Sequence, residues 1–351
     1  MKELHYQRWT YKSSRTPLRI TSDKLKFLID RSGYFLIPSN SILVKIHYAS
    51  LNPIDYKLKD MAPFPSFRDK GMGKDFSGEI IALGCNVENF KVGDLVQGFY
   101  SGFLSRDGTF SEYLLINTKR CLFKNEIAKV PQSISLQEAA AWPLVLGTAM
   151  LMLDKLPVRN KKVLVLGGAT SVGRYVIQLL KSDGAGEIVV SCSPRSQELV
   201  KDLGATKTIN YRESVLNQVL ENTTDERFDY IIDCWGGKEL FPNIKEILTK
   251  GGAYHTIVGD KPVSTPITLL LGTPTTILRS ITSSLHLLDY SYRYVLLGNK
   301  NPGWITKAQQ YVASGKVKIF IDKVYAFDEL PEAIAYIETG QAQGKLVIQV
   351  N

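Results

Sequence analysis

Three glycines interrupt the segment KVLVLGGATSVGRYVIQLLK, where an apolar run rich in Val and Leu gives way to an amphipathic one. Gly167, Gly168 and Gly173 permit a tight strand-to-helix turn and a close approach of the backbone to a ligand. The N–H groups at the start of a helix attract an anion such as a pyrophosphate. The spacing therefore predicts a nucleotide-binding turn, and a tight turn without a ligand is the alternative. The predicted cofactor-binding residues of this turn are Gly167, Thr170, Ser171, Val172 and Gly173.

A second polar group follows the next apolar run, EIVVSCS, about twenty residues after the last of these glycines. A dinucleotide-binding unit for NAD usually carries an Asp or Glu here, which hydrogen-bonds the ribose 2′-hydroxyl. This chain instead has Ser193, Arg195 and Ser196. Two hydroxyls and a guanidinium suit a 2′-phosphate, because Arg donates paired, charge-assisted hydrogen bonds. The pattern predicts NADPH in preference to NADH; the alternative is that Arg195 is a solvated residue at a helix start.

The elements that must position these residues alternate between strand and helix from Lys162 onward, with one helix predicted over LFPNIKEILTKGG. Such alternation indicates an α/β fold with a parallel, doubly wound sheet. The earlier residues form short apolar runs broken by glycines, which is typical of a β-rich, barrel-like domain. Ser135 and Glu138 have the spacing of a capping box at a helix start. We predict a first domain over 1–127, a dinucleotide-binding domain over 128–300 and a return to the first domain over 301–351.

Composition is consistent with a two-domain soluble protein. The 351 residues are 44% hydrophobic and 22% charged, and the formal net charge of +9 suits a polyanionic ligand such as a nucleotide. No run approaches the ~20 apolar residues that span a bilayer. The four cysteines are scattered, which predicts neither a disulfide framework nor a zinc cluster and favours a reducing compartment. They are Cys85, Cys121, Cys192 and Cys234.

Nearly the whole chain resembles the zinc-independent quinone-oxidoreductase branch of the medium-chain dehydrogenase/reductases, and within it the fungal Yim-type members. The similarity lies in ASLNPIDYKLKD, GKDFSGEIIALG, VGDLVQGF, GTFSEYLLIN, AAAWPLVLGTA, ELVKDLGATKTINYRE, FDYIIDCWGG and GKLVIQV. The resemblance implies a GroES-like domain, a Rossmann domain, and NADPH-dependent reduction of a quinone or an α,β-unsaturated carbonyl. It also implies that Tyr211 closes over the 2′-phosphate end of the cofactor. Thr170 departs from the family, most of whose members have a central glycine there.

The zinc-dependent relatives in that family bind the metal through a Cys, a His-Glu pair and a further Cys. At the matching places this chain has Asn52, Lys74 with Asp75, and Ala140, so we expect no metal site. Hydrogen-bond donors must then polarise the acceptor carbonyl, and the candidates are Asn52, Tyr56 and Lys74. Two alternatives stay open: Asn52 caps a turn, and Lys74 with Asp75 forms an ion pair that replaces the metal structurally.

A second class of function also stays open, that of an NADPH-binding protein without turnover. The positive charge would suit RNA, but Lys and Arg are spread along the chain without an Arg-rich run, which argues against nucleic acid. The resemblance implies a cytoplasmic protein associated with lipid droplets or mitochondria, yet no segment is typical of an amphipathic anchor helix. The sequence does not settle the oligomeric state, although PITLLLGTPTTILRSITSSLHLL contains apolar stretches that could pair across the two-fold axis of a homodimer.

Overall fold

In a computed structural model, the chain divides into two units. The first comprises Met1–Leu144 with Gly298–Asn351, and the second is Val145–Leu297. The structure describes residues 2–29, 31–33, 35–62, 66–102, 105–119, 125–224, 226–260, 272–296 and 303–351.

Strands and helices within the described residues are numbered in chain order. The strands are β1 (Lys2–Tyr11), β2 (Arg19–Ile29), β3 (Phe35–Leu36), β4 (Ser41–Leu51), β5 (Lys70–Gly71), β6 (Asp75–Leu83), β7 (Leu95–Phe99), β8 (Tyr113–Asn117), β9 (Glu126–Lys129), β10 (Lys162–Leu166), β11 (Glu187–Cys192), β12 (Lys207–Asn210), β13 (Phe228–Asp233), β14 (Leu248–Thr256), β15 (Ser291–Tyr294), β16 (Ile321–Tyr325) and β17 (Lys345–Gln349). The α-helices are α1 (Pro53–Asp60), α2 (Leu136–Ala141), α3 (Pro143–Met152), α4 (Ser171–Ser182), α5 (Gln197–Leu203), α6 (Val215–Glu221), α7 (Ile244–Ile247), α8 (Pro274–Ser284), α9 (Trp304–Ala313) and α10 (Leu330–Glu338). Short 3₁₀ helices cover Pro194–Ser196, Phe241–Asn243 and Phe327–Glu329.

The first unit is β-rich, as expected for its short apolar runs. One sheet has the order β16-β17-β4-β6-β7-β9, with β8 also paired to β4, and a second has the order β3-β2-β1-β5. The centre of the unit is β4, which is buried along most of its length and pairs antiparallel with β6, β8 and β17. This pairing brings the C-terminal strand of the chain beside the end of β4, at the start of α1.

The second unit is the predicted doubly wound α/β domain. Its sheet has the order β12-β11-β10-β13-β14-β15, and every neighbouring pair is parallel. The apolar run of β10 is buried throughout, as expected for a strand covered by helices on both faces. The strand order reverses between β10 and β13, and the carboxyl ends of strands at such a switch point border a ligand crevice.

The boundaries differ from the predicted ones. The capping box of Ser135 and Glu138 does start a helix, α2, but α2 packs against β4, β6 and β17 and belongs to the first unit. The first unit therefore continues to Leu144 instead of ending at residue 127, and the second ends at Leu297 instead of residue 300.

Two further predicted segments need comment. One differs from the prediction, and the other lies partly outside the described residues. The helix predicted over LFPNIKEILTKGG is reduced to a 3₁₀ turn and α7, because Leu248 already pairs with Phe228 in the sheet. The stretch expected to pair two copies is described from residue 272 onward, while 261–271 lie outside the described residues. In the described part of this stretch, the side chains of Leu278 and Ile281 on α8 are exposed. Dimerisation stays a prediction.

Candidate functional site

The glycine turn joins β10 to α4 in the geometry that the sequence predicts. Gly167 has φ +74°, a region that favours glycine, and a Cβ on Gly173 would lie 2.3 Å from the Gly167 carbonyl oxygen. Thr170 is the N-cap of α4: its Oγ1 accepts from the Gly173 N–H at 3.1 Å and donates to the Gly167 oxygen at 2.8 Å. The hydroxyl of Thr170, which stands where most family members have glycine, thus links two backbone groups within the turn.

Helix α4 presents its positive end at this turn. The N–H groups of Ser171 and Val172 lie in the first turn, where an α-helix supplies no acceptor of its own. Arg174 is buried one residue after Gly173, and its Nε donates to the Ala169 oxygen at 3.0 Å. The burial of Arg174 could not be predicted from the sequence, because an arginine in an amphipathic helix usually lies on the solvent face. The backbone donors and the helix dipole fit the pyrophosphate of a dinucleotide.

The residues after β11 form the predicted polar group. The hydroxyls of Ser193 and Ser196 lie 3.1 Å apart at the ends of a 3₁₀ turn, and Arg195 is exposed between them. Ser191 on β11 accepts from the Gly167 N–H at 2.9 Å and so ties this strand to the glycine turn. No carboxylate stands between residues 193 and 196.

An exposed aromatic pair lies at the carboxyl ends of the strands in this sheet. Tyr211 follows β12 and Trp235 follows β13; their rings are parallel within 11°, with centroids 6.1 Å apart. Both are unusually open to solvent, at 45% and 67% exposure. The buried Asp233 carboxylate accepts the N–H groups of Trp235 and Gly236 at 3.0 and 2.7 Å and holds this turn. The family resemblance implies a role for Tyr211, which stays a prediction. Trp235 was not predicted, although a tryptophan directly after a buried strand was an available signal.

Two of the three candidate residues of the first unit, Asn52 and Lys74, lie in a buried polar cluster. Its other members are Asp55, Asp75 and Lys345. The Asn52 side chain is fully buried: its Nδ2 donates to Asp75 Oδ2 at 2.9 Å, and its Oδ1 accepts from Lys345 Nζ at 2.5 Å. The Asn52 N–H donates to the Asp55 carboxylate at 2.8 Å, which anchors the first turn of α1. These contacts assign Asn52 a structural role, and a contact with substrate stays a prediction.

Lys74 and Tyr56 lie in different surroundings. Lys74 is buried, and its Nζ donates to the Gly102 carbonyl oxygen at 2.9 Å. Burial lowers its pKa to about 8, against the opposing attraction of Asp55 and Asp75. Burial likewise raises the pKa of the Asp55 carboxyl to about 7, although Lys74 and the Asn52 N–H act to lower it. Tyr56 is half-buried, and burial raises its pKa.

Besides Asp55, the residue of this cluster that was not predicted from the sequence is Lys345. Its ammonium donates to the Leu51 carbonyl oxygen at 3.0 Å as well as to Asn52, and it lies 3.6 Å from the Asp75 carboxylate. Burial lowers the pKa of Lys345, and the negative charge of Asp75 opposes this shift. Burial also raises the pKa of Asp75, and the positive charge of Lys345 opposes that shift. The signal was the lysine that precedes LVIQV, a charge at the start of a strand that is otherwise buried.

Comparison with known proteins identifies the family of this chain. Residues 38–126 match the model of the alcohol dehydrogenase GroES-like domain, and residues 203–348 match that of the zinc-binding dehydrogenases. The YIM1 protein of Vanderwaltozyma polyspora is 33% identical, and the alignment covers 97% of this chain and 98% of the relative. The chain belongs to the medium-chain dehydrogenase/reductase superfamily, in the group of the fungal YIM1 proteins. This confirms the family and the fold predicted from the motifs.

Solved structures agree with this assignment. The quinone oxidoreductase of Coxiella burnetii is 25% identical, with a TM-score of 0.74 over 99% of this chain and 100% of that one. The Escherichia coli quinone oxidoreductase, solved in complex with NADPH, has the same fold at 21% identity, with a TM-score of 0.74 over 98% of this chain and 99% of that one. The protein is thus an oxidoreductase of this superfamily related to quinone oxidoreductases.

The zinc ion named in the second family model does not fit the residues of this chain. The places of the ligands in zinc-dependent relatives carry an amide on Asn52, an ammonium beside a carboxylate on Lys74 and Asp75, and a methyl group on Ala140. Within the described part of the chain, no group of three or more His, Cys, Asp or Glu side chains could hold a metal ion. Cys85, Cys192 and Cys234 are free thiols, and Cys121 lies outside the described residues. No helix among the described residues is long and apolar enough to cross a membrane.

Proposed function

We propose that the protein is an NADPH-dependent, zinc-independent reductase of quinones or α,β-unsaturated carbonyls. The observation that carries the choice of cofactor is the end of β11, where two serine hydroxyls and Arg195 stand in place of the carboxylate typical of NAD-binding units. A carboxylate there would repel a 2′-phosphate, whereas a guanidinium attracts it. The NADPH bound by the E. coli relative supports the same choice.

The residues of the second unit would hold the cofactor in three places. The glycine turn and the start of α4 would bind the pyrophosphate, Ser193 and Arg195 the 2′-phosphate, and Tyr211 with Trp235 would flank the adenosine. When bound, the nicotinamide supplies a hydride to an electron-poor carbon of the acceptor. Conjugated acceptors need only modest polarisation of a carbonyl oxygen, which protein hydrogen-bond donors supply. Alcohol oxidation is disfavoured, because the amide of Asn52 and the ammonium of Lys74 are poor substitutes for metal ligands.

The test of this function is NADPH oxidation by the full-length protein against a panel of quinones and enones, with NADH in parallel. Arg195→Ala should weaken NADPH binding by about 1.5–3 kcal/mol, the range for a hydrogen bond to a charged group, which is roughly 10-fold or more. NADH binding should be unchanged. Arg159→Ala is the matched control. Arg159 is also exposed, but it precedes β10 and so lies at the amino ends of the strands, whereas Arg195 follows the carboxyl end of β11.

Three outcomes would contradict parts of the proposal. Equal affinity of the wild type for NADH and NADPH would refute the 2′-phosphate site. NADPH binding without oxidation by any acceptor would favour the non-catalytic alternative. Efficient oxidation of simple primary alcohols would refute the assigned direction of chemistry.

A further inference from the structure

The carboxylate of Asp233 lies fully buried at the carboxyl end of β13, in the second unit. In contrast to the buried Asp75, Asp94 and Asp260, it forms no ion pair with any described residue. A buried charge without a cation is costly unless hydrogen bonds satisfy it. The hydrogen bonds that Asp233 accepts must therefore compensate for its burial.

Each oxygen of this carboxylate accepts two hydrogen bonds, and the two oxygens face different parts of the unit. Oδ1 accepts the N–H groups of Trp235 and Gly236, at 3.0 and 2.7 Å. Oδ2 accepts from the hydroxyls of Tyr254 and Thr256 on β14, at 3.1 and 2.8 Å. Asp233 thus links the turn that follows β13 to the side chains of the neighbouring strand.

The backbone of the turn is also held on both sides of the Asp233 contacts. On one side, the Cys234 N–H donates to the Leu166 oxygen at the end of β10, at 2.9 Å. On the other side, the Gly237 N–H donates to the Gly259 oxygen at 3.0 Å. With both flanks fixed, the Asp233 carboxylate holds the two N–H groups between them and so determines the backbone conformation at the centre of the turn.

The side chain at the centre of the turn is the exposed indole of Trp235, which begins beside the glycine turn. A Cβ built on Gly167 would lie 3.0 Å from the Trp235 Cβ. The indole stacks on Tyr211, which follows β12, and β11 and β10 lie between β12 and β13 in the sheet. Neighbouring strands are about 4.8 Å apart, so β12 and β13 are separated by about 14 Å. Rings whose centroids are only 6.1 Å apart must therefore extend over the ends of β10 and β11, which carry the proposed phosphate sites.

We propose that Asp233 is a positioning residue for the cofactor: it fixes the backbone of Trp235 so that the indole stacks on the adenine of the bound nucleotide. This rests on the NADPH binding proposed above. Asp233 is fully buried, so it acts through Trp235 and not by contact with the cofactor. A displaced indole loses its stacking contact, while the glycine turn and Arg195 keep their phosphate contacts. Loss of Asp233 should therefore weaken the cofactor by no more than loss of the indole itself.

The first test is a series of replacements at Asp233 in the full-length protein, with NADPH as the titrated ligand. Asp233→Asn keeps an oxygen for the two backbone N–H groups, and its NH₂ can donate to the hydroxyls of Tyr254 and Thr256, so its Kd should stay close to the wild-type value. A serine hydroxyl is a weaker acceptor in such turns, and alanine has none. Asp233→Ala should raise the Kd about 10-fold, within the range for loss of one base–aromatic stack, and Asp233→Ser should lie between Asn and Ala.

The second test repeats the series in the Trp235→Ala background. If Asp233 acts through the indole, its replacements have no further effect once the indole is absent, and all these proteins should share one Kd for NADPH. A general structural role would instead weaken binding by the same factor in both backgrounds. Asp229→Ala is the matched control and should leave NADPH binding unchanged. Asp229 lies near the amino end of the same strand, where it accepts from the Lys161 ammonium and the Lys162 N–H.

The outcomes separate this inference from the proposed function. A wild type that binds neither NADPH nor NADH overturns both. If the wild type binds NADPH, the role of Asp233 is overturned by a Kd that does not change along the series, by a loss in Asp233→Asn as large as in Asp233→Ala, or by equal losses with and without Trp235. A graded loss that disappears in the Trp235→Ala background supports it. Asp233→Ser decides the question even if Asp233→Ala does not fold.

Discussion

Replacement of Lys345 by Met should strongly destabilise the first unit. The ammonium is buried 3.6 Å from the Asp75 carboxylate, which is also fully buried. Asp75 keeps three donors without it, from Asn52 at 2.9 Å, the Leu144 N–H at 2.8 Å and Ser50 at 3.3 Å, but it loses the cation that balances its charge. Removing one partner of a buried ion pair costs about 3–5 kcal/mol, because the remaining charge is uncompensated.

The assay is thermal and urea unfolding at neutral pH, fitted with a separate transition for each unit. A loss of 1 kcal/mol lowers Tm by about 2–4 °C in domains of 150–250 residues, so the transition of the first unit should fall by roughly 6–20 °C. Lys316→Met, which removes an exposed lysine, is the control and should leave Tm unchanged. The double variant Lys345→Met with Asp75→Asn removes both charges and should recover much of the loss.

The stability of the Lys345→Met variant should also change with pH in a direction that the pKa of Asp75 determines. Burial raises the pKa of Asp75 above its unfolded value, and Lys345 opposes this rise. Without the ammonium the folded-state pKa rises further, so the folded variant binds a proton more tightly than the unfolded chain does. The free energy of unfolding of the variant should therefore fall as the pH rises from the unfolded Asp value, about 3.9, towards the raised folded-state pKa. A variant as stable as the wild type at neutral pH, with no added pH dependence, would show that Lys345 and Asp75 do not form an ion pair.

Two predictions concern the second unit. Gly173→Ala should weaken NADPH binding and cost about 1–3 kcal/mol of stability by overpacking, because its Cβ would meet the Gly167 oxygen at 2.3 Å. NADPH titration measures the binding, and thermal unfolding measures the stability. Unchanged NADPH binding would contradict the proposed pyrophosphate site at the glycine turn. Trp235→Ala should weaken NADPH by about 1–3 kcal/mol, the value of base–aromatic stacking, and should leave binding of the mononucleotide NMNH unchanged. Trp235 is far more exposed than the buried Trp9 and Trp142, so NADPH should quench its fluorescence; equal losses for NADPH and NMNH would contradict stacking on the adenine.

Much of the second unit could be predicted from the sequence, because its pattern is local. A strand covered on both faces is mostly apolar, and β10 and β13 have such apolar runs at their centres, each followed by a turn that needs glycine. The start of α4 was predictable for the same reason: the positive φ of Gly167 and the crowding at Gly173 exclude other residues. The polar group after β11 followed from counting along the chain, since a fixed spacing separates the turn from the ribose site.

The boundary between the units was not predictable in this way. The capping box correctly predicted where α2 begins, but a local signal carries no information about the partner that a helix packs against. The three buried alanines of α2 suit either unit, and contacts with β4 and β6 decide that it belongs to the first.

The sequence by itself thus determined the parallel sheet and the glycine turn between β10 and α4, which follow from periodicity and backbone sterics over a few residues. Only the tertiary structure decided the composition of the polar cluster, because Lys345 and Asn52 are 293 residues apart and meet only when β17 pairs with β4. The Tyr211–Trp235 pair arises likewise from the carboxyl ends of two strands that are not neighbours in the sheet. Burial of a charge, and hence its pKa and its chemistry, depends on what the rest of the fold places around it.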